Sequence, residues 1–240
     1  MYSSIAKNFD KTRSYVWPCV RNFLKVTKEG IFDIKEAELN LLEAGCGNGK
    51  NLVYAKELGY IVKGFDVCPE LVEICRKKEL NVENLDLLEE KEYEKKDEKE
   101  EKEEKYNVIL CVAVIHHLRD EEERVNSILC LYNKLLPGGK MMFTLWSYET
   151  EYNGLISAKE KKMLLGDNII PWKSKEGKVI SNRYYYIYDR KGVENLINKI
   201  KKCLYKEEEK EEEKEEEKEE REEKIKIGWE EQNWIIVISK

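Results

Sequence analysis

The chain is expected to fold as an α/β protein, with a doubly wound, mostly parallel sheet, helices on both faces and the last strands antiparallel. Three observations predict this. Short apolar runs alternate with helix-like segments from Leu39 to Trp146, the pattern of a sheet built by crossovers. "YNVILCVAVIHHL" (106–118) is apolar on both faces, as a strand inside a parallel sheet must be. "EAGCGNG" (43–49) sets three glycines between an apolar run and a helical segment.

Each element has its own local reason. "SSIAKNFDKTRSYVWPCVRNFL" (3–24) reads as two short helices broken at Trp17-Pro18, because proline cannot continue a helix through its missing N–H. These belong to a helical cap over 1–38, outside the sheet. "LNLLEAGCG" (39–47) is the first strand, and "NGKNLVYAKELGY" (48–60) a helix with apolar Leu52, Val53, Ala55 and Leu58 and a stop at Gly59. "IVKGFD" (61–66) is the second strand, "CPELVEICRKKE" (68–79) a helix with Pro69 in its first turn, and "LNVENLD" (80–86) the third strand. The fourth strand runs to the "VIHHL" segment. "DEEERVNSILCLYNKLLPGG" (120–139) is a helix with acids early, Lys134 late and Pro-Gly-Gly at its exit. "KMMFTLW" (140–146) is the fifth strand. "NRYYYIYD", "RKGVENLINKIKKC" and "NWIIVISK" then add strand, helix, strand. One domain over 1–240 is expected.

The charge is unevenly placed. The block over 89–105 has ten acidic and six basic side chains, and 206–224 has thirteen and six, so the net charge of −6 becomes +5 once both are set aside. Neither block has apolar residues with which to dock, and both read as solvated low-complexity insertions. The mildly basic remainder is compatible with a nucleic-acid partner. Seven cysteines without a C-x-x-C pair read as free thiols, and no metal site is expected. The start lacks the apolar core of a signal peptide. The longest apolar run, Val108 to Ile115, is too short to span a bilayer. A soluble cytoplasmic protein is expected, with the nucleus as a second compartment and no membrane partner.

The glycine turn carries the first functional reading. Gly45, Gly47 and Gly49 follow the pattern G-x-G-x-G rather than the G-x-G-x-x-G of dinucleotide sites. Glu43 stands just ahead, where an anion would repel a pyrophosphate and favour an ammonium group. Asp66 ends the second strand, the usual place for a carboxylate that accepts from a ribose diol. Asp86 ends the third, within reach of an adenine amino group. A nucleoside with an attached amino acid and no phosphate meets these demands: S-adenosyl-L-methionine. Asn48, Val67, Leu87 and Val114, beside these residues on the strand ends, complete the expected cofactor contacts.

The segments "IAKNFDKTRSYVWP", "LEAGCGNGK", "GFDVCPELVEIC", "CVAVIHHLRDEEERVNSI", "LLPGGKMMFTLWSYE", "PWKSKEG", "RYYYIYDRKGVENLI" and "NWIIVISK" resemble the tRNA wobble-uridine (carboxymethyluridine) methyltransferase family, including the methyltransferase domain joined to an AlkB-type oxygenase in animals. The glycine turn is generic to class I methyltransferases; the TR-x-x-x-WP, VIHHL and RYY segments are more specific. The resemblance implies a Rossmann-like, seven-stranded class I fold and methylation of the carboxylate of 5-carboxymethyluridine in the tRNA anticodon loop. It also implies a small zinc-binding activator subunit as heterodimer partner, for which an apolar strand beside the acidic insertion offers an edge.

That chemistry asks little of a general base, because a carboxylate is already ionised near neutral pH. It needs in-line placement of one oxygen in a partly dry pocket and a grip on the other. Arg13 and Arg183 are the candidates for the grip. His116 is expected to face the substrate, with His117 its less direct partner. Trp146 is expected to wall the pocket and Tyr184 to stack on or bond the uracil. Arg13, Lys173, Lys175, Lys178 and Arg190 are candidates for phosphate contacts. Two other readings stay open: a methyltransferase for a small metabolite, and a non-catalytic partner that keeps the fold.

Overall fold

In the computed structural model, residues 3–30, 38–89, 104–157, 163–174, 176–204 and 224–240 are described. Most of both charged insertions, and Lys175, lie outside them.

A short 3₁₀ turn at Ser3–Ile5 leads into α1 (Ala6–Thr12), and α2 (Pro18–Gly30) begins at the proline that separates them. The alternating part follows as β1 (Asn40–Ala44), α3 (Lys50–Glu57), β2 (Ile61–Asp66), α4 (Pro69–Lys77), β3 (Asn81–Asn84), β4 (Tyr106–Cys111), α5 (Glu121–Asn133) and β5 (Leu135–Trp146). Two hairpins come next, β6 (Glu151–Tyr152) with β7 (Leu155–Ile156) and β8 (Gly166–Lys173) with β9 (Val179–Ile187). Then come α6 (Arg190–Leu204), β10 (Ile225–Glu230) and β11 (Asn233–Ser239).

The main sheet has seven strands in the order β3-β2-β1-β4-β5-β11-β10. β1 to β5 are mutually parallel, and β11 runs antiparallel to both β5 and β10. The chain builds outward from β1 to β3, then returns to the other side of β1 with β4. That reversal opens a crevice at the carboxyl ends of β1 and β4, where ligands bind in open sheets of this kind.

Strand alternation sends side chains to two buried faces. Leu41, Val108, Leu110 and Met142 pack on one face with Val20 and Leu24 of α2 and Leu52 and Ala55 of α3. Leu42, Ile109, Cys111, Met141 and Phe143 pack on the other with Ile128 and Leu131 of α5 and Leu196 and Ile200 of α6. Burial on both faces is why these strands lack polar alternation. α5 is fixed at its start by a capping box between Asp120 and Glu123.

Four expectations change. β5 begins at Leu135, so Pro137, Gly138 and Gly139 lie within the strand and not at the exit of α5. β4 ends at Cys111 and not at the histidines: a turn with Ala113 at φ 59° intervenes, and Ile115–His117 form a 3₁₀ turn. The strand over "NRYYYIYD" is not part of the main sheet; β9 pairs with β8 in a separate antiparallel hairpin. The sixth strand is instead β10, "IKIGWE", whose lysine and glycine break its apolar pattern. The apolar strand that follows the first insertion, β4, lies between β1 and β5, so both of its edges are paired and it offers none to a partner.

Phe143 is fully buried at the centre of the sheet. Phe143→Ala should lower the free energy of unfolding by about 3–5 kcal/mol, read as a shift of the urea midpoint with unchanged slope.

Candidate active site

The turn from β1 into α3 has room for hydrogen alone at critical points. Gly45, Gly47 and Gly49 all have left-handed φ, at 67°, 57° and 73°, a region glycine enters without strain. A Cβ on Gly45 would stand 2.4 Å from Val114 Cγ2, and one on Gly49 2.5 Å from Leu80 Cδ1. Asp66 braces the turn from the end of β2. Its Oδ2 accepts the Gly47 N–H at 2.8 Å and its Oδ1 the Cys68 N–H at 2.9 Å. Burial raises the Asp66 carboxyl above the usual range, and these two donors partly oppose it.

Beside this turn lies a cavity of about 280 Å³. Of the nine expected cofactor contacts, seven line it: Gly45, Gly47, Asp66, Val67, Asp86, Leu87 and Val114. Asp86 Oδ1 accepts the Leu88 N–H at 3.0 Å, which folds the chain after β3 around the cavity. Phe9 of α1 and Leu118 close other parts of the wall.

Glu43 and Asn48 do not line it. Glu43 is 1 % exposed, takes a 2.7 Å bond from Asn51 Nδ2 on Oε1, and has no partner on Oε2. Burial pushes its carboxyl up to about 8, against the pull of Asn51 and Lys50. Asn48 turns its amide away, donating to Asp10 Oδ1 at 2.9 Å and to the Arg13 carbonyl at 3.2 Å.

The histidine pair is placed opposite to expectation. His117 lines the cavity, and His116 is fully buried behind it. His116 packs against Trp146 and Tyr185, with ring centroids at 5.4 and 5.3 Å. In the tight 3₁₀ turn consecutive side chains diverge, so one residue faces the cavity and its neighbour the core. His117 Nδ1 lies 2.7 Å from the Tyr184 carbonyl oxygen, a bond made by the tautomer protonated at Nδ1. Burial lowers the His117 pKa to about 4, the carbonyl bond opposes that, and nearby Arg183 adds to the lowering. The imidazole is therefore neutral at physiological pH.

The two arginines meet on one tryptophan. Arg183 and Arg13 place their guanidinium carbons 4.8 and 5.6 Å from the ring centroid of Trp172, and Phe9, which lines the cavity, lies 6.4 Å from that ring. Arg13 is exposed, but Arg183 is only 8 % exposed, and its Nε has no partner. Its Nη1 donates to the Tyr185 hydroxyl at 2.6 Å. No carboxylate pairs with either guanidinium among the described residues.

Strand alternation separates Tyr184 from this group. Tyr184 faces the other side of β9, where its hydroxyl donates to Asp167 and its ring lies under Arg119. Burial and Asp167 push its pKa up to about 12. The tyrosine on the arginine side is Tyr185, stacked on Trp146 at 4.1 Å with 15° between the planes. Trp146 thus backs the histidines and does not line the cavity. The period-two pairing of Arg183 with Tyr185 was the available signal for Tyr185, whereas Phe9, Trp172 and His117 had none beyond residue type. Among the phosphate candidates, Arg190 is ion-paired with Glu194 at 2.8 Å, while Lys173 and Lys178 are exposed.

The low pKa of His117 has a pH consequence. The unfolded imidazole titrates near 6.5 and the folded one near 4, so the unfolded chain binds more protons between these values. His117's contribution should be intact above pH 6.5 and fall away by about 3 kcal/mol as pH drops to 4. Stability measured against pH in wild type and His117→Gln should diverge in that window, and imidazole NMR should show no titration above about pH 5.

The chain is similar to known methyltransferases in sequence and in fold. The tRNA (carboxymethyluridine(34)-5-O)-methyltransferase ALKBH8 of Macaca fascicularis is 33% identical over 168 residues, which cover 70% of this chain and 22% of that protein. The tRNA (carboxymethyluridine(34)-5-O)-methyltransferase of Saccharomyces cerevisiae is 28% identical, over 72% of this chain and 54% of its own. The chain thus spans between about a fifth and about half of the length of these relatives. Among solved structures, the CcbJ methyltransferase from Streptomyces caelestis superposes with a TM-score of 0.60 at 10% identity, over 99% of this chain and 95% of that one. An S-adenosylmethionine-dependent methyltransferase from Clostridium acetobutylicum gives 0.56 at 13% identity, over 99% and 98%. These two share the class I methyltransferase fold with the chain. A family profile described as a methyltransferase domain matches residues 18–200; it takes in the glycine turn, Asp66, the histidine turn and Arg183, and the chain belongs to that family.

Proposed function

We propose that the chain transfers a methyl group from S-adenosyl-L-methionine to the carboxylate of 5-carboxymethyluridine at tRNA position 34, giving the methyl ester. One observation carries the reading. A buried guanidinium with an unpartnered Nε, Arg183, shares an aromatic wall with Arg13 directly beside a cavity suited to a nucleoside. A buried cation without an anion implies that the substrate brings one. Carboxymethyluridine, on which the named relatives act, carries an anion of that kind.

The residues fit the cofactor. Glycine at 45 keeps side chains out of the space a nucleoside must enter. Asp66 spends one lone pair of each oxygen on the protein, leaving others toward the cavity for a ribose diol. Glu43 lies off the cavity wall, so its part is indirect: its Oε1 accepts from Asn51 and so braces the start of α3. When bound, the cofactor supplies an electrophilic methyl on a positive sulfur.

The protein's own groups do the positioning. Arg13 and Arg183 hold one carboxylate oxygen and leave the other to attack in line. Because the attacking oxygen is already anionic near neutral pH, the protein's groups need move no proton. Neutral His117 on the cavity wall suits this, since an imidazolium there would repel the sulfonium. The aromatic wall of Phe9, Trp172 and Tyr185 keeps the approach dry and offers faces for a single-stranded base. Lys173 and Lys178, exposed on the β8–β9 hairpin, are the candidates for backbone phosphates. The activator subunit remains part of the proposal; it cannot dock by extending β4, and the sheet's end strands are β3 and β10. A cytoplasmic or nuclear location suits the seven free thiols.

Nucleoside mass spectrometry of tRNA incubated with the protein, the cofactor and a candidate activator tests this directly. New 5-methoxycarbonylmethyluridine is expected; label only in a small-molecule extract would refute it. Arg13→Ala should reduce kcat/KM about 10–100-fold, the loss of a charged hydrogen bond, while calorimetric affinity for the cofactor persists.

A further inference from the structure

The expected cofactor residue Asn48 spends its amide on the N-terminal segment. Its Nδ2 donates to Asp10 Oδ1 at 2.9 Å and to the backbone carbonyl of Arg13 at 3.2 Å. Lys78, just past α4, completes the cluster. Its Nζ donates to the Asn48 carbonyl at 2.8 Å and pairs with Asp10 Oδ1 at 3.1 Å. Asn48 is 3 % exposed, so its orientation is fixed by the surrounding turn. Asp10 and Lys78 are each about a third exposed, and a pair so placed adds little to stability. Burial works against the charge of Asp10, but the bonds from Asn48 and Lys78 outweigh it and hold its carboxyl below the usual range.

What the cluster holds is α1. This helix spans seven residues, too few to be stable alone, and its apolar anchorage is small: Ala6 packs with Cys68 and Leu71, joined by Phe9. Yet α1 and its cap carry two groups at the cavity mouth, Phe9 on the wall and Arg13 over Trp172. Asn48 grips the backbone carbonyl of Arg13, so the glycine turn holds the main chain from which that guanidinium projects.

We infer that Asp10, held by Lys78, is a positioning residue: it latches α1 to the glycine turn through Asn48 and so sets Arg13 at the cavity mouth. Arg13 is then in place only while the glycine turn holds the conformation in which Asn48 points outward, which couples the cofactor loop to the substrate grip. The assignment of Arg13 to substrate rests on the function proposed above; the latch itself does not.

Asp10→Ala should raise KM for tRNA about tenfold, the effect of one charge-assisted bond, with cofactor affinity changed less than about threefold. In an Arg13→Ala background the same substitution should have no further effect, because both act through one guanidinium. Asp10→Asn, which keeps the acceptor, should recover most of the loss. Additive losses, an unchanged KM, or cofactor affinity falling in step would overturn the latch. Amide hydrogen exchange over residues 6–13 gives a second readout that needs no tRNA. Faster exchange in Asp10→Ala and in Lys78→Met, with urea midpoints close to wild type, supports the latch, and unchanged exchange refutes it. If wild type leaves tRNA unmodified, the proposed function fails while the exchange result still decides the latch.

Discussion

The site depends on a close approach that only hydrogen permits. Where β1 turns into α3, the backbone at Gly45 passes so near Val114 that a methyl group would overlap it. Three left-handed residues in five let the chain reverse within one turn. Asp66 then fixes the result by accepting the Gly47 N–H. β1, β2 and β4 thereby deliver the glycine turn, Asp66 and Val114 to one crevice, and the rest of the cavity is built on that frame.

The charge pattern of the site follows from differences in burial. His117 on the cavity wall and Glu43 behind the glycine turn are pushed toward their neutral forms, to about 4 and about 8, because each is buried without a full counter-charge. The two arginines remain cations and concentrate on one aromatic ring. Two carboxyl groups on the cavity wall, Asp66 and Asp86, and two guanidinium groups beside it suit a cationic cofactor inside and an anionic substrate outside. Aromatic faces soften the cost of keeping a guanidinium in place without an anion, since the ring quadrupole attracts it.

Outer elements finish what the sheet begins. The β8–β9 hairpin belongs to no sheet but its own, yet it brings Trp172, Arg183 and Tyr185 over the strand ends. From the opposite side α1 brings Phe9 and Arg13. Helix α1 and the hairpin touch through the Phe9–Trp172 contact. The strand ends thus supply the crevice, and two short appendages supply the aromatic and cationic groups beside it, a division between rigid scaffold and variable periphery.

What the sequence determined by itself was whatever is settled within a few residues. Apolar alternation gave β1 to β5 and their helices, Pro18 and the early acids from Asp120 gave helix starts, and the glycine spacing gave the turn with Asp66 beyond it. Seven of nine expected cofactor contacts lie on one cavity wall for that reason. Tertiary structure alone decided which of two neighbouring side chains faces the ligand. His117 lines the cavity because Ala113 takes a left-handed turn and β9 packs from about seventy residues away. Tyr185 joins Arg183 because β9 pairs with β8 outside the sheet. Asn48 turns from the cavity because Asp10 and Arg13 come to meet it. A local pattern fixes the backbone path, but a side chain's direction depends on partners remote in sequence, whose arrival no local period records.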